Sequence, residues 1–373
     1  MRILINAISA KTGGIVAYTS NLIDALQKRG IDFRVAVPDT FPDNPNVIKV
    51  AANNYSPLRQ LMWEQTIWRA LIYKYRADVL FSSANFGLLN SPVPQLLLMH
   101  EGGLFDSLYL STVAPEQGLN AAIQRHLRRR LMLISARHND HVITPTEAMR
   151  SMLLNWAPDL ENHCSVNSYG TLLDTFNVGK QRPWRQDGTL KLLYVSTYYP
   201  HKNPSDGVLA CEILSQQGLP ATLRLTMEMD HIRKVRGSAR DLFHLERGIS
   251  ENLVETGSVP YAKLPDIHAN HDVFIFPSIS ETFGHPMTEA MASGIPIVAV
   301  DVAVNREILG DAALYYSPFR PQELAQRLRQ LDESPDLRAE LTAQGRRRVV
   351  SQFDWNDHVS RLIELFDQVA RQR

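Results

Sequence analysis

The sequence predicts an α/β protein that consists of two doubly wound domains in tandem. Two observations lead to this prediction: the length of the chain and the alternation of short apolar runs with helical patterns along it. With 373 residues, the chain exceeds the size of about 250–300 residues at which single hydrophobic cores stop growing. Short strands that alternate with amphipathic helices are typical of parallel sheets covered by helices on both faces. Such sheets bind ligands beyond the carboxyl ends of their strands, so we expect a site in a cleft between the two domains.

Ten apolar runs are predicted to be strands. Those of the first half are Arg2–Ile8, Phe33–Val37, Val79–Phe81, Gln95–Met99 and His141–Ile143. Those of the second half are Leu190–Val195, Ala221–Met227, Val273–Phe276, Ile295–Val300 and Ala313–Tyr316. Apolar residues at helical spacing between these runs are expected to pack against the sheets. Two of these helical stripes are Trp63, Ile67, Ala70 and Leu71, and Ile123, Leu127, Leu131 and Ile134.

A polar, irregular segment from Phe176 to Gly188 interrupts the alternation and is predicted to link the two domains. The first domain is accordingly predicted to span residues 1–180, and the second domain residues 189–352. Residues 353–373 are predicted to form a C-terminal helix.

Composition and charge exclude several classes of protein. Lysine and arginine together number 39, as do aspartate and glutamate, so the chain lacks the basic excess of a nucleic-acid-binding protein. Cys164 and Cys211 are too few for a disulfide framework or a cysteine-based zinc site, and they favour a reducing, cytoplasmic location. No apolar run reaches the length of about 18–20 residues that crosses a membrane, and the first residues turn polar too soon for a signal peptide. We expect a cytoplasmic protein, attached at most to the inner surface of the membrane.

The first predicted strand leads into Gly13 and Gly14 and then into a helix. Paired glycines ahead of a helix N-terminus let the backbone approach an anionic ligand closely. The pair matches neither the dinucleotide-binding fingerprint, which a hydride-transferring oxidoreductase would carry, nor the phosphate-binding P-loop. A tight turn with a purely structural role is therefore an open alternative.

The most informative stretch begins with the predicted strand that ends at Phe276 and continues through a loop into a helix that Gly294 ends. The amides of Met287 and Thr288 are expected to be free at the start of this helix. Free amides at a helix N-terminus bind phosphate. The stretch therefore predicts an anion-binding site at the carboxyl end of a strand.

Two carboxylates lie in the same stretch. Glu281 is expected on the loop and Glu289 in the first turn of the helix, so both are expected near a ligand at the end of the strand. The alternatives are that Glu289 only offsets the helix dipole and that Glu281 is a solvated loop acid. A glycoside hydrolase would also use paired carboxylates, but the helix start and Lys202 favour a phosphate ligand, and we reject that class.

The arrangement Ser278-x-x-Glu281-x-Phe283-Gly284, followed by Glu289-Ala-Met-Ala-x-Gly-x-Pro, resembles the signature of glycosyltransferase family 4. Further segments that are similar to the family are Gly13–Gly14, Thr256–Pro260, Asp272–Ser278 and Asn305–Ala313. The resemblance implies a retaining enzyme of the GT-B fold, with two Rossmann-like domains that face each other across a cleft. It implies that the first domain serves the acceptor and the second binds a nucleotide diphosphate sugar. The C-terminal helix is implied to pack back toward the first domain.

The resemblance also implies roles for individual residues. Glu281 would hydrogen-bond hydroxyl groups of the donor sugar, Glu289 would bind the ribose, and Lys202 would neutralise the departing diphosphate. His100 follows a predicted strand and would lie near the transferred sugar; a buried histidine with a structural role is the alternative. The implied catalytic residues are Glu281, His100 and Lys202. The other residues implied in donor binding are Gly13, Gly14, Ser258, Val259, Phe283, Gly284, His285, Met287 and Thr288.

In two respects the sequence departs from the family. One is that Ala303-Val304 replaces the usual Gly-Gly ahead of the last acidic position, Glu307. The other concerns the cations around the diphosphate. Members usually carry Gly-Arg after the strand that leads to the lysine, and Ser196-Thr197 stands there. Lys202 then neutralises the diphosphate alone or with an arginine from elsewhere. The chain has no Asp-x-Asp motif for a divalent ion, so we expect neither metal nor cofactor. The resemblance implies a donor linked to UDP, GDP or ADP and a glycan or lipid-linked sugar acceptor in polysaccharide biosynthesis. A non-catalytic nucleotide-sugar-binding or scaffold protein on the same fold is the alternative.

Two features of the first half leave alternatives open. Arginines cluster over Arg125–Arg130 on the polar side of a predicted amphipathic helix, and a basic amphipathic helix can lie on anionic lipid. A solvated helix face explains the cluster equally well. The aromatic-rich stretch Trp63–Tyr75 is predicted to pack in the core, with an acceptor groove as the alternative.

Overall fold

The computed structural model describes residues 1–11, 14–176 and 182–371. These residues form two parallel sheets connected by helices, and the predicted α/β class is confirmed. Gly13 and residues 177–181 of the predicted linker lie outside the described residues.

The first sheet, as far as the described residues show it, contains seven parallel strands. They are β1 (Arg2–Asn6), β2 (Asp32–Pro38), β3 (Val47–Val50), β4 (Val79–Ser82), β5 (Gln95–Leu98), β6 (His141–Thr144) and β7 (Cys164–Val166). Their spatial order is β3-β2-β1-β4-β5-β6-β7. The helices of this half of the sequence are α1 (Gly14–Lys28), α2 (Pro57–Trp63), α3 (Arg69–Tyr75), α4 (Ser107–Thr112), α5 (Leu119–Arg137), α6 (Glu147–Leu154) and α7 (Leu173–Phe176).

The second sheet is parallel throughout. Its strands are β8 (Leu190–Tyr194), β9 (Ala221–Leu225), β10 (Val254–Glu255), β11 (Val273–Phe276), β12 (Ile297–Val300) and β13 (Leu314–Tyr316), in the order β10-β9-β8-β11-β12-β13. The helices of this half are α8 (Pro204–Gln216), α9 (Met229–Ile232), α10 (Ala239–Ser250), α11 (Leu264–Ala269), α12 (His285–Ser293), α13 (Ala303–Leu309), α14 (Pro321–Glu333), α15 (Pro335–Gln352) and α16 (Trp355–Arg371). Over the described ranges, no helix combines the length and the apolar composition that are needed to cross a bilayer.

The chain divides into two compact units. Unit 1 comprises Met1–Glu101, Arg125–Ser168 and the chain from Asn356 onward, and it contains the first sheet. Unit 2 comprises Gly102–Gln124 and Tyr169–Trp355, and it contains the second sheet. Residues 102–124 lie within the predicted first domain in sequence, yet they group with unit 2.

Every predicted strand is present, but three observed strands are absent from the prediction. β3, β7 and β10 lie at sheet edges and are two to four residues long. Edge strands need few apolar residues because one side remains open to solvent. Their short, partly polar sequences therefore carry little of the signal that identifies buried strands.

The aromatic stretch packs in the core of unit 1, but in a register that simple helical spacing does not predict. A π-helical turn, Glu64–Trp68, separates α2 from α3. Such a turn inserts one residue into the helix and rotates everything after it by about 100°. As a result Trp68 is buried and stacks on Trp63 with ring centroids 5.9 Å apart, while Ile67 is exposed. The predicted stripe is therefore wrong at Ile67 and Ala70, which are exposed, whereas Leu71 is partly buried against the core as predicted.

The apolar stripe of α5 also differs from the prediction. Ile123, Leu127, Leu131 and Ile134 are exposed rather than packed on a sheet. The buried side of this helix carries Met132, Leu133, Ser135 and Ala136 instead. Helical periodicity groups residues on one face, but it does not decide which face meets the protein when the opposite face is also apolar.

Candidate functional site

The loops after β8 and β11 lie side by side at the carboxyl edge of the second sheet. The two strands are parallel neighbours, with Leu192 opposite Val273. The backbone amide of Ile279 donates to the carbonyl of His201 at 3.0 Å, which ties the two loops together. Parallel pairing thus brings residues together that are some 80 positions apart in sequence.

Lys202 and Glu281 form an ion pair where these loops meet. The ammonium of Lys202 donates to Oε1 of Glu281 at 2.5 Å, and both side chains are largely buried, with exposures of 14% and 10%. Burial is the largest single influence on the pKa of Glu281 and pushes it upward. The charge and hydrogen bond of Lys202, together with His201 and Ser278, outweigh burial, so the pKa lies below its ordinary value. Glu281 is therefore an ionised carboxylate with a dedicated counter-ion and not a solvated loop acid.

His201 does not add a second cation to this pair. Burial lowers the pKa of its imidazole to about 3, with the adjacent Lys202 ammonium acting in the same direction. The ring is neutral at physiological pH. The positive charge next to Glu281 therefore comes from Lys202.

Helix α12 begins one residue after Gly284, whose φ of +83° lies in the left-handed region. This conformation favours glycine; a Cβ would also lie 2.6 Å from Cε of Met287, the flexible end of that side chain. The amide of Met287 donates to the carbonyl of Gly284 at 2.9 Å. The prediction that Met287 offers a free amide is therefore wrong, because the helix starts with a tight turn.

The open amides lie slightly earlier in the chain. Among the described residues, the amides of Gly284 and His285 have no hydrogen-bond acceptor. Thr288 follows at the fourth position of the helix, where an amide ordinarily bonds within the helix. Its hydroxyl donates to the carbonyl of His285 at 2.9 Å and pairs with the hydroxyl of Thr171 at 2.6 Å. The amides that are open at this helix start are thus those of Gly284 and His285.

Glu289 lies on the second turn of α12, not on the first as predicted, and its side chain is buried. The hydroxyl of Tyr261 donates to its Oε1 at 3.1 Å. Burial raises the pKa of Glu289 to about 7, although this hydrogen bond acts against the rise. A carboxyl group beyond the first turn and out of solvent is poorly placed to offset a helix dipole. Sequence reasoning missed Tyr261, because nothing in its neighbours indicates a carboxylate partner.

The remaining predicted donor residues have different surroundings. Phe283 is buried and meets the ring of Tyr169 edge-on, and the ring of His285 stacks on the same tyrosine at 5.0 Å. Ser258 is exposed, and its amide donates to Oε1 of Glu228 at 2.7 Å. Val259 is half-buried beside it. Phe283 therefore contributes packing, while Ser258 and Val259 line an accessible loop.

Of the predicted site residues that the structure describes, two belong to unit 1. Gly14 is the first residue of α1 and is exposed. His100 follows β5, and its backbone amide donates a hydrogen bond to Oδ1 of Asn85 at 2.9 Å. Burial lowers the pKa of its imidazole, and its Nε2 is buried without a hydrogen-bond partner among the described residues. His100 is thus a neutral ring with unused hydrogen-bonding capacity.

Glu64 is a further buried carboxyl group, and sequence reasoning missed it. The side-chain amides of Asn6 and Gln60 donate to its Oε1 at 3.4 Å and 3.1 Å. Burial raises the pKa of Glu64 to about 7. Because Asn6 is the last residue of β1, Glu64 lies at the carboxyl edge of the first sheet. The sequence signal that could have indicated this site is the position of an acidic residue inside the aromatic stretch Trp63–Tyr75.

None of the described side chains forms a group of three or more histidine, cysteine, aspartate or glutamate residues that could hold a metal ion. The two cysteines are buried and free.

Comparison with known proteins assigns the class and the family. The two parallel sheets match solved structures of the GT-B glycosyltransferase fold. Sucrose-phosphate synthase from Thermosynechococcus elongatus superposes with a TM-score of 0.79 at 18% identity over 100% of both chains. HepE from Anabaena, in complex with UDP-glucose, superposes with a TM-score of 0.74 at 18% identity over 99% of this chain and 100% of that one. These similarities establish the shared fold.

Two family models match the sequence. The model for glycosyl transferases group 1 matches residues 180–348, and the model for glycosyltransferase family 4 matches residues 12–162. The chain belongs to glycosyltransferase family 4. O-antigen chain mannosyltransferase B of Escherichia coli is 29% identical over 177 residues, which are 47% of this chain and 45% of that protein. The match therefore spans less than half the length of that relative.

Proposed function

We propose that this chain transfers a sugar from a nucleotide diphosphate sugar to a glycan or lipid-linked sugar in polysaccharide biosynthesis. The Lys202–Glu281 pair beside the open amides of Gly284 and His285 carries the proposal. Family membership supports it, as do the O-antigen mannosyltransferase relative and the UDP-glucose complex of a protein with the same fold. The two free cysteines agree with a reducing, cytoplasmic setting.

Cleavage of the bond between sugar and diphosphate places negative charge on the leaving group. Preorganised cations and amides that meet this developing charge are a major source of rate enhancement. We assign this role to the ammonium of Lys202 and to the amides of Gly284 and His285, where the N-terminus of α12 adds its own positive potential. These groups supply the stabilisation without a metal ion.

The two glutamates of unit 2 then have separate roles. Glu281 is ionised and accepts hydrogen bonds from hydroxyl groups of the sugar. Glu289, oriented by Tyr261, accepts hydrogen bonds from the ribose. Hydroxyl donors are the natural complement of buried carboxylate oxygens, because an unpaired buried acceptor is costly.

We further propose that the reaction retains the configuration at the anomeric carbon. The acceptor hydroxyl attacks from the face that the diphosphate leaves, the bond between C1 and the phosphate oxygen breaks, and the acceptor's proton passes to that oxygen. No protein base is needed in this scheme. His100 fits it as a neutral hydrogen-bonding group, because its pKa is lowered.

A non-catalytic binding protein is the second candidate, and Thr197 favours it because this threonine replaces the arginine usual in the family. Release of nucleoside diphosphate separates the two candidates. UDP-, GDP- and ADP-sugars would be incubated with the chain and a lipid-linked sugar extract, with and without EDTA. We expect one donor to be consumed at a rate that EDTA leaves unchanged. Binding without release would support the second candidate, and loss of activity in EDTA would contradict the metal-free scheme.

A further inference from the structure

We propose that unit 2 contains a second ligand site, a cavity that binds one sugar residue through its hydroxyl groups. The cavity has a volume of about 310 Å³ and lies between the start of α8, the start of α10 and the loop that follows β13. All of its lining residues belong to unit 2. Small-molecule sites have volumes of about 300–1,000 Å³, whereas a water molecule occupies about 30 Å³. The cavity is therefore large enough for an organic ligand.

Two buried polar groups at the cavity lack hydrogen-bond partners among the described residues. Asn203 lines the cavity and is 2% exposed, and its Nδ2 has no acceptor. Asp206, three residues further on, is buried, and its Oδ1 has no donor. The amide of Asn203 is close enough to affect the pKa of Asp206, but not close enough for a hydrogen bond of ordinary length. Buried polar atoms are nearly always paired, so a neighbouring donor and acceptor without partners indicate a ligand that satisfies both.

A hydroxyl group is the chemical complement of such a pair, because it donates one hydrogen bond and accepts others. A sugar residue carries several hydroxyl groups on a partly apolar ring. Pro200 and the half-buried ring of Phe319 add apolar surface to the wall of the cavity. The guanidinium of Arg240 also lines it and supplies further donors, 3.8 Å from Oδ1 of Asp206. Small-molecule sites combine apolar walls with a few placed polar groups in this way.

The charges of the cavity disfavour an anion or a metal ion as the occupant. Glu116 and the buried Asp241 lie in its wall, and Arg240 is the one basic residue among the described lining residues. A phosphate or a carboxylate would face two like charges there. A metal ion would meet Arg240, and no three of the described histidine, cysteine, aspartate or glutamate side chains are grouped to hold one. A neutral sugar avoids both conflicts.

The cavity adjoins the proposed donor site without sharing its charged groups. Pro200, His201 and Lys202 form one helical turn, and Asn203 follows it. The ammonium of Lys202 is paired with Glu281, whereas Pro200 and Asn203 line the cavity. The proposal does not depend on the transferase activity, because sugar binding in the cavity uses neither member of the ion pair. The occupant is either a free monosaccharide or one residue of a glycan, and both present the same hydroxyl groups.

A ligand-observed NMR titration of the full chain tests the proposal. The probes are the methyl glycosides of mannose, glucose, galactose and N-acetylglucosamine, with glucuronate as an anionic probe. We expect at least one neutral glycoside to bind and glucuronate not to bind. The linear trisaccharide of the sugar that binds distinguishes the sources: tighter binding assigns a residue of a glycan, and weaker binding assigns a free sugar. Absence of binding by all four glycosides, or binding of glucuronate alone, would overturn the proposal.

Asn203→Gly should weaken glycoside binding about fivefold, the effect of one hydrogen bond. Asn203 has a φ of +46°, and glycine retains this left-handed conformation, so the backbone beside Lys202 is preserved. Asn252→Gly is the matched control, because Asn252 is an exposed asparagine of unit 2 with a φ of +58°. The control should bind like wild type. Equal affinities of the two variants would remove Asn203 from the site.

A second variant covers the case in which Asn203→Gly does not fold, as judged by its thermal midpoint. Arg240→Gln changes a side chain that is 42% exposed and should weaken glycoside binding about tenfold, because it removes a charged donor. Arg233→Gln, at a side chain that is 50% exposed, is its control.

Glu281→Gln separates the cavity from the donor site. Because Glu281 does not line the cavity, this variant should bind the glycosides like wild type. If Glu281→Gln abolished glycoside binding while Asn203→Gly and Arg240→Gln retained it, the glycosides would occupy the donor site and the proposal would be wrong.

Discussion

The carboxyl edges of the two sheets both hold buried glutamates, but they neutralise them differently. In unit 1, Glu64 receives hydrogen bonds from the neutral amides of Asn6 and Gln60, and its pKa is raised to about 7. In unit 2, Glu281 is held ionised by Lys202. Environments that separate the pKa values of like groups assign them different chemistry. The difference lies in the Lys202–Glu281 pair, which holds fixed charges at the second edge, whereas Glu64, like Glu289 of unit 2, has a pKa of about 7 and no cation beside it.

Removing the cation from the second edge should have the largest effect. We expect Lys202→Ala to lower turnover by about 10²-fold or more, the scale seen when one charge-stabilising group is lost. The rate of nucleoside diphosphate release at saturating donor measures it. Lys191→Ala removes an exposed lysine of the same unit and should leave the rate unchanged. If the two variants turned over alike, Lys202 would not be the group that meets the leaving diphosphate.

Glu289→Gln should weaken nucleotide binding by about tenfold at pH 8, where most of the Glu289 carboxyl groups are ionised. Hydrogen bonds to a charged acceptor contribute about 1.5–3 kcal/mol, and the variant retains a neutral acceptor. Calorimetric titration of the free nucleotide would measure this. The matched control is Glu64→Gln, which removes a buried carboxyl of similar pKa from unit 1. Equal affinities of the Glu289→Gln variant and wild type would remove the ribose role.

Glu64→Gln should stabilise the protein at alkaline pH and leave nucleotide binding unchanged. The folded-state pKa of about 7 lies above the ordinary value of 4.5, so the folded chain binds the proton more tightly than the unfolded chain. Wild type therefore loses stability as pH rises from 4.5 to 7, and glutamine does not. The advantage should grow to about 2–3 kcal/mol by pH 8 and vanish below pH 4.5. Denaturant titrations at pH 5 and pH 8 would measure it, and a gap of equal size at both values would contradict the shifted pKa.

Tyr261→Phe should have the smallest effect. It removes the hydroxyl that orients Glu289 but keeps the ring, so we expect a loss of about fivefold in nucleotide affinity, equivalent to one hydrogen bond of about 1 kcal/mol. The pKa of Glu289 should rise further, and the loss should appear in KM more than in kcat. Tyr199→Phe, on an exposed tyrosine of the same unit, is the control. An unchanged pH profile of binding would show that Tyr261 does not position Glu289.

The buried strands and the loop glutamates could be predicted because their signals are local. Runs such as Val273–Phe276 are apolar throughout, and the spacing from Glu281 to Glu289 is itself the motif. The direction in which individual side chains and backbone amides face could not be predicted. The π-helical turn Glu64–Trp68 shifts the buried face of the helix by one residue, and the tight start of α12 places the open amides three residues earlier than predicted. Such shifts depend on packing that the linear pattern does not encode.

The partners of the buried groups were equally hidden. Tyr261 lies 28 positions from Glu289, and Lys202 lies 79 positions from Glu281. Only sheet pairing brings the latter two together. For α5, both faces are apolar enough to be buried, and the sequence does not state which one the protein covers.

The Lys202–Glu281 ion pair has a consequence for ligand selection. Each member is already satisfied by the other, so a ligand gains little by replacing just one of them. Inorganic phosphate would bind Lys202 and leave the buried carboxylate of Glu281 without a donor. A free sugar would bind Glu281 and leave the ammonium of Lys202 without an acceptor. A nucleotide diphosphate sugar would replace both partners at once, because its phosphates would bind Lys202 and its sugar hydroxyls would bind Glu281. Under the proposed function, the pair would therefore favour the complete donor over its separated halves, because only the complete donor replaces both partners at once.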